Sequence, residues 1–275
     1  MRNWFKKNES SIILVMIFLV GLSLLLYPSF SEFWNSKYQS QAIASYTEKV
    51  LEIDDNSYEL MIQAANEYNK KLENGSGRWI PSEEEVKAYN DLLNVSGTGI
   101  MGYVEIPNLR ISLPIYHGVD EAVLQIAIGH IQGSSLPVGG EGTHCAISGH
   151  RGLPSAKLFT NIDELKEGDV FLLCILDEVL TYEVDQIRIV EPNDLSALEI
   201  EEGKDLCTLI TCTPYGVNSH RLLVRGHRIE TVKSNYIRVS ADAMQMDETI
   251  VASFVSVPIL LLLLIWLLIH YRKRR

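Results

Sequence analysis

Cys212 closes the apolar, β-branched run Thr208-Leu209-Ile210-Thr211 and stands just before Pro214-Tyr215-Gly216-Val217-Asn218. That second stretch has the composition of a turn, because proline fixes φ while glycine and asparagine tolerate positive φ. Another apolar run, Leu222-Leu223-Val224, follows Arg221. The spacing predicts strand, loop, strand, with a thiol ending one strand and a guanidinium opening the next. Neighbouring strands would put both groups in one space. A thiolate is the nucleophilic form of cysteine, and nearby positive charge favours it. Arginine keeps its charge and offers several donors to an oxyanion. A small core cysteine beside a surface arginine is the plainer reading of the same residues.

Nucleophilic chemistry of this kind also needs an acid/base, and seven histidines compete for the role. His270 lies at the edge of a C-terminal apolar run. His117, His130 and His144 fall in hairpin or helix contexts, where histidine is usually structural. His220 precedes Arg221, so within a strand it would face the opposite side. His227 ends the last strand. His150 sits between Gly149 and Arg151-Gly152, at the end of an expected strand over Thr143 to Ser148.

The other cysteines, Cys145, Cys174 and Cys207, each sit inside an apolar run and read as core residues. No C-x-x-C pair is present, so the common zinc and redox spacings are missing. Cys207 and Cys212 are five apart and should face opposite sides of one strand.

These residues need a scaffold. Ser10 to Ser31 carries no charge and is long enough to cross a bilayer; no small-residue cleavage site follows it, so an uncleaved anchor is expected. Thr249 to Ile269 is a second such stretch. Arg2, Lys6 and Lys7 flank the first, and Arg272, Lys273, Arg274 and Arg275 the second. Both termini should therefore be cytoplasmic, with Ser31 to Glu248 outside. Setting the flanks aside leaves 17 basic against 34 acidic residues, an acidic body without the basic footprint of a nucleic-acid binder.

Ser36 to Leu72 reads as helix with a break at Asp54-Asp55-Asn56, and Ser82-x-x-Glu85 as a capping box opening a helix to about Leu93. From Met101 the period changes to strand. Two short strands, Gly102 to Pro107 and Ile111 to Tyr116, precede an expected helix over Glu121 to His130. A helix over Ser155 to Leu165 follows, then strands over Val170 to Leu176 and Leu180 to Val190. Many short strands with few helices indicate a mainly β barrel or sandwich. The domain plan is 1–31 tail and anchor, 32–99 helical arm, 100–232 catalytic domain, 233–248 linker and 249–275 second span with a basic tail.

The segment TLITCTPYG…HRLLVRG resembles the active-site segment of sortases, the cysteine transpeptidases of Gram-positive cell surfaces, and is most similar to their class C, pilus-building branch. SGHRGLPSAKLF resembles the sortase histidine segment, and GYVEIPNLRISLPIYHG the first hairpin of the sortase barrel. The likeness runs over about residues 100 to 230, together with the layout of both ends. It implies an eight-stranded closed β-barrel. It assigns Cys212 as nucleophile, His150 as acid/base, and Arg221 as oxyanion stabiliser or substrate clamp, with Thr211 and Thr213 beside the cysteine as substrate-binding candidates. The implied substrate is an LPXTG-like signal on a pilin or surface protein, cleaved between Thr and Gly through a thioacyl intermediate. The implied acceptor is a pilin lysine, or alternatively a peptidoglycan amine, with no metal or organic cofactor. A hydrolase using water, or a non-catalytic membrane-tethered barrel that binds sorting signals, are the competing readings. Class C members commonly carry an Asp-Pro-aromatic lid in the arm. Here that string is absent, and Trp79, in Arg78-Trp79-Ile80-Pro81, is either the lid candidate or an anchoring aromatic.

Overall fold

A computed structural model describes residues 2–73, 77–231 and 256–266. The arm opens with α1, Arg2–Leu51, a single helix that runs through Pro28, so the expected boundary between anchor and arm near residue 31 is not a structural break. Its most apolar window has a mean hydropathy of 2.4 and none of it is buried, which makes it a candidate membrane span by length and composition. At the expected break, the Asp54 carboxylate accepts from the Ser57 backbone N–H at 3.0 Å and caps α2, Asp55–Glu73. The capping box also forms: Ser82 and Glu85 satisfy each other's backbone N–H groups and start α3, Glu83–Asp91. At the far end only Ser256–Trp266 is described, and it is an apolar helix. The linker at 233–248, the remainder of the second expected span and the basic tail lie outside the described residues.

Eight strands follow the arm: β1 Ile100–Ile106, β2 Ile111–His117, β3 Ile128–His130, β4 Thr143–Ser148, β5 Val170–Ile175, β6 Glu178–Val190, β7 Asp205–Thr213 and β8 His220–Ile229. They close into a barrel in the order β1-β2-β3-β4-β7-β8-β6-β5, the eight-stranded closed architecture expected from the resemblance. Two expected helices are corrected. Over Glu121 to His130 the helix α4 covers only Glu121–Leu124, and Ile128–His130 becomes β3, paired in parallel with β2. Over Ser155 to Leu165 there is only a 3₁₀ turn at Ile162–Glu164. Both segments are apolar enough for either period, and the closing barrel takes the first as a strand.

Alternation divides β7 and β8 between two environments. Cys207, Leu209, Leu222 and Val224 point into the barrel, joining Phe171, Tyr182 and Ile147 in the main core. Ile210 and Leu223 point outward, into a second cluster with Ala146 and Leu198. The loop between β6 and β7, with its 3₁₀ turn at Ser196–Leu198, covers this outer cluster. The arm is fastened by Tyr46, which is 1% exposed. Its hydroxyl donates to Met101 O at 3.0 Å and accepts from the Leu176 N–H at 2.8 Å. Burying such a ring stabilises by about 1.5–3 kcal/mol.

Candidate active site

β7 and β8 are antiparallel, and their register sets Cys212 directly opposite Arg221. Directly opposed residues project from the same face, here the outer one. Thr213 is opposed to His220, so His220 faces away from Cys212, as its sequence position predicts. Its ring lies instead 3.3 Å from Glu191.

The third group arrives from β4, which runs parallel to β7 with Ser148 opposite Ile210. Two more residues along that pairing bring His150 level with Cys212. The continuation is held by two bonds: the Gly149 N–H donates to Ile210 O at 3.0 Å, and the Thr211 hydroxyl donates to Gly149 O at 2.8 Å. Residue 149 must be glycine, since a Cβ there would lie 2.7 Å from Ile128 and 2.8 Å from Phe159. Register therefore sets residues 150, 212 and 221 side by side on the outer face, on β7, on β8 and just past the end of β4.

Their surroundings differ. Cys212 is a free, half-buried thiol. Arg221 Nη1 donates to the backbone carbonyls of Asn218 (3.3 Å) and His220 (3.1 Å), which holds the guanidinium against the loop. Nε and Nη2 have no hydrogen-bonded partner among the described residues. His150 Nε2 is buried and lacks a hydrogen-bond partner, and Glu121 Oε2 lies 3.8 Å from it. The next residue, Arg151, pairs with Asp163 and lies over the Tyr215 ring at 5.8 Å, tying the His150 loop to the turn after Cys212.

The remaining described histidines are occupied. His130 is fully buried between the Tyr89 hydroxyl and Ser135 O, both at 2.8 Å. His144 bonds Glu199 O and the Thr208 hydroxyl, and burial lowers its pKa. His117 bonds Gly99 O and Leu92 O, and burial lowers its pKa as well. His227 lies 4.0 Å from Asp185.

Of the threonines proposed as substrate contacts, Thr211 is 1% exposed and braces Gly149, and Thr213 is 8% exposed at the strand end. By alternation both side chains lie on the face opposite Cys212. Trp79 packs against the outer cluster that contains Ile210, two residues from Cys212 on the same face. The Arg78 guanidinium lies 4.6 Å over its ring and donates to Leu198 O at 3.0 Å. The indole is therefore packed into the outer cluster. Glu121 is the neighbour that sequence reasoning missed. Nothing within α4 marks it, because its relation to His150 depends on β3 lying beside β4.

A family model described as the sortase domain matches residues 104–229. Among solved structures, sortase C1 from Streptococcus agalactiae is 52% identical with a TM-score of 0.68, covering 70% of this chain and 100% of that one. A Clostridium perfringens sortase C, solved with the C-terminal cell wall sorting motif, is 44% identical with a TM-score of 0.62, covering 70% and 99%. Sortase D of Bacillus subtilis is 31% identical over 131 residues, which is 46% of this chain and 63% of that protein.

Proposed function

The chain belongs to the sortase family, and we propose that it works as a class C, pilus-assembling cysteine transpeptidase. The observation that carries this reading is the register: Cys212 opposite Arg221, with His150 brought level by the parallel β4–β7 pair. In the first half-reaction the Cys212 thiolate attacks the Thr–Gly carbonyl of an LPXTG-like signal. The C–S bond forms, and negative charge gathers on the carbonyl oxygen. Arg221 donates to that oxygen from the nitrogens its loop contacts leave free. The His150 imidazolium gives its proton to the departing glycine nitrogen as the C–N bond breaks. What remains is a thioacyl group on Cys212. A lysine amine of the next pilin takes it and gives an isopeptide bond.

The Clostridium perfringens relative was solved with the C-terminal cell wall sorting motif, which supports a signal of the same class here. We place α1 across the membrane, with both termini cytoplasmic and the barrel outside. The test uses the full chain in detergent micelles with an LPXTG-type peptide. A mass adduct on Cys212 that a lysine amine discharges is expected. Its absence, or an adduct elsewhere, overturns the reading. Discharge by a peptidoglycan-type amine in preference to lysine would make the protein a cell-wall-anchoring enzyme instead. Arg221→Lys keeps the charge but loses the planar fork, and should cost about 10²–10³-fold in adduct formation. A variant near wild-type rate would reduce Arg221 to a point charge.

A further inference from the structure

We propose that Glu121 docks the ammonium group of the acceptor, so that the carboxylate beside His150 selects a charged amine for the second half-reaction. The inference rests on the thioacyl reading above and deepens it. Glu121 is 74% exposed at its side chain, yet its Oε2 lies 3.8 Å from the buried, unpartnered Nε2 of His150. The carboxylate thus reaches solvent on one side and the acid/base on the other.

Its place is fixed by close packing. Gly129 of β3 passes so near the turn before α4 that a Cβ on it would lie 1.9 Å from Gly118 O. The Tyr89 hydroxyl accepts from the Gly118 N–H at 3.1 Å. Beyond α4, Ile126 O accepts from Gln39 of α1 at 2.7 Å. The second carboxylate oxygen, Oε1, accepts from Gln125 Nε2. That leaves Oε2 for a cation.

The chemistry calls for a group at this point. A lysine side chain is almost wholly protonated near neutral pH and cannot attack until it loses a proton. After the first half-reaction His150 has given its proton away and is a neutral base. An ammonium held by Glu121 lies against that base. One proton passes to His150, and the free amine attacks the thioacyl carbonyl. The C–N bond forms, the C–S bond breaks, and sulfur leaves as the Cys212 thiolate. The amine's second proton goes to solvent, and the thiolate–imidazolium pair is restored.

The test separates the two half-reactions in the full chain, using an LPXTG-type peptide as donor. Acceptors are a lysine amide, charged at pH 7, and hydroxylamine, which is neutral there. Glu121→Gln keeps an oxygen for Gln125 but loses the charge. Adduct formation and transfer to hydroxylamine should stay within about twofold of wild type. The KM for the lysine amine should rise about three- to fivefold, the loss of one largely exposed ion pair. Glu121→Lys should raise it further. Glu191→Gln, removing the carboxylate beside His220, should change neither acceptor. Equal losses with both acceptors would mean that Glu121 acts only through His150, and no change with either would leave it without a part; both overturn the proposal. If the wild-type chain forms no adduct at all, the failure belongs to the underlying reading and is visible before any acceptor is added.

Discussion

Cys207 and Cys212 lie on one strand, five residues apart, and the barrel wall makes them different reagents. Cys207 points inward, is fully buried opposite Cys145, and burial raises its thiol well above the usual range. Cys212 points outward, is half-buried, and faces Arg221. The histidines repeat the contrast. His130 has a partner at each ring nitrogen, whereas His150 has a buried Nε2 with none. These two inward groups are buried and partnered, Cys207 by Cys145 and His130 at both ring nitrogens. Chemistry is left to outward groups such as His150, whose buried Nε2 has unfilled hydrogen-bonding capacity.

The sharpest way to break this contrast is to exchange which cysteine is removed. Cys212→Ala should abolish turnover and thioacyl formation, since the sulfur that holds the acyl group is gone, with an unchanged melting temperature. Cys207→Ser should leave the rate near normal and cost about 1–3 kcal/mol, because the hydroxyl is buried in an apolar site. Adduct mass and thermal unfolding on both variants check the pair. Next in size are the histidines. His150→Ala should cost about 10²–10⁴-fold in rate. His130→Ala should instead leave the Tyr89 hydroxyl and Ser135 O short of a buried partner and show chiefly as about 1–3 kcal/mol of lost stability.

Trp79 sharpens the outer side of the comparison. Its packing against the Ile210 cluster makes Trp79→Ala a stability variant, with a loss of about 2–3 kcal/mol for a partly buried aromatic. Alkylation of Cys212 by a small thiol reagent should change less than about twofold. A large acceleration with an unchanged melting temperature would make the indole a lid instead.

The smallest expected effect is in pH. His117 and His144 have pKa values lowered by burial. Below the ordinary imidazole value of about 6.5, the unfolded chain takes up protons that the folded chain refuses. Stability should therefore fall as pH drops below that value, by up to about 1.4 kcal/mol per pH unit for each group. Denaturant unfolding between pH 7 and 5 measures the slope, and His144→Gln should make it shallower.

The β7–loop–β8 unit was legible because its information is local. An apolar run, a turn rich in Pro, Gly and Asn, and a second apolar run fix two antiparallel neighbours, and alternation alone then separates His220 from Arg221. The capping box at Ser82 and Glu85 and the strand over Thr143 to Ser148 were legible for the same reason. The levelling of His150 with Cys212 in register was not. It depends on a parallel pairing between β4 and β7, across 62 residues that contain two other strands. Period and turn signals do not encode which distant strand becomes a neighbour. The family resemblance supplied that link, and the register supplies its physical cause. Glu121 was missed because it belongs to the site only after β3 has formed where a longer helix was expected.

One further consequence comes from the length of α1. The helix that carries the apolar stretch continues without interruption onto the barrel. Glu32, the first charged residue past that stretch, accepts from the Lys157 N–H at 2.6 Å, and Asn35 donates to Ser155 O at 2.8 Å. Both contacts lie on the segment that follows His150. With its apolar residues in a bilayer, this helix becomes a ruler. It rises about 1.5 Å per residue, so Cys212 and His150 are held at one altitude above the lipid and in one orientation about the helix axis. Such an enzyme would choose its peptide bond by depth as well as by sequence, because a correct signal presented far above the membrane would pass over the cysteine.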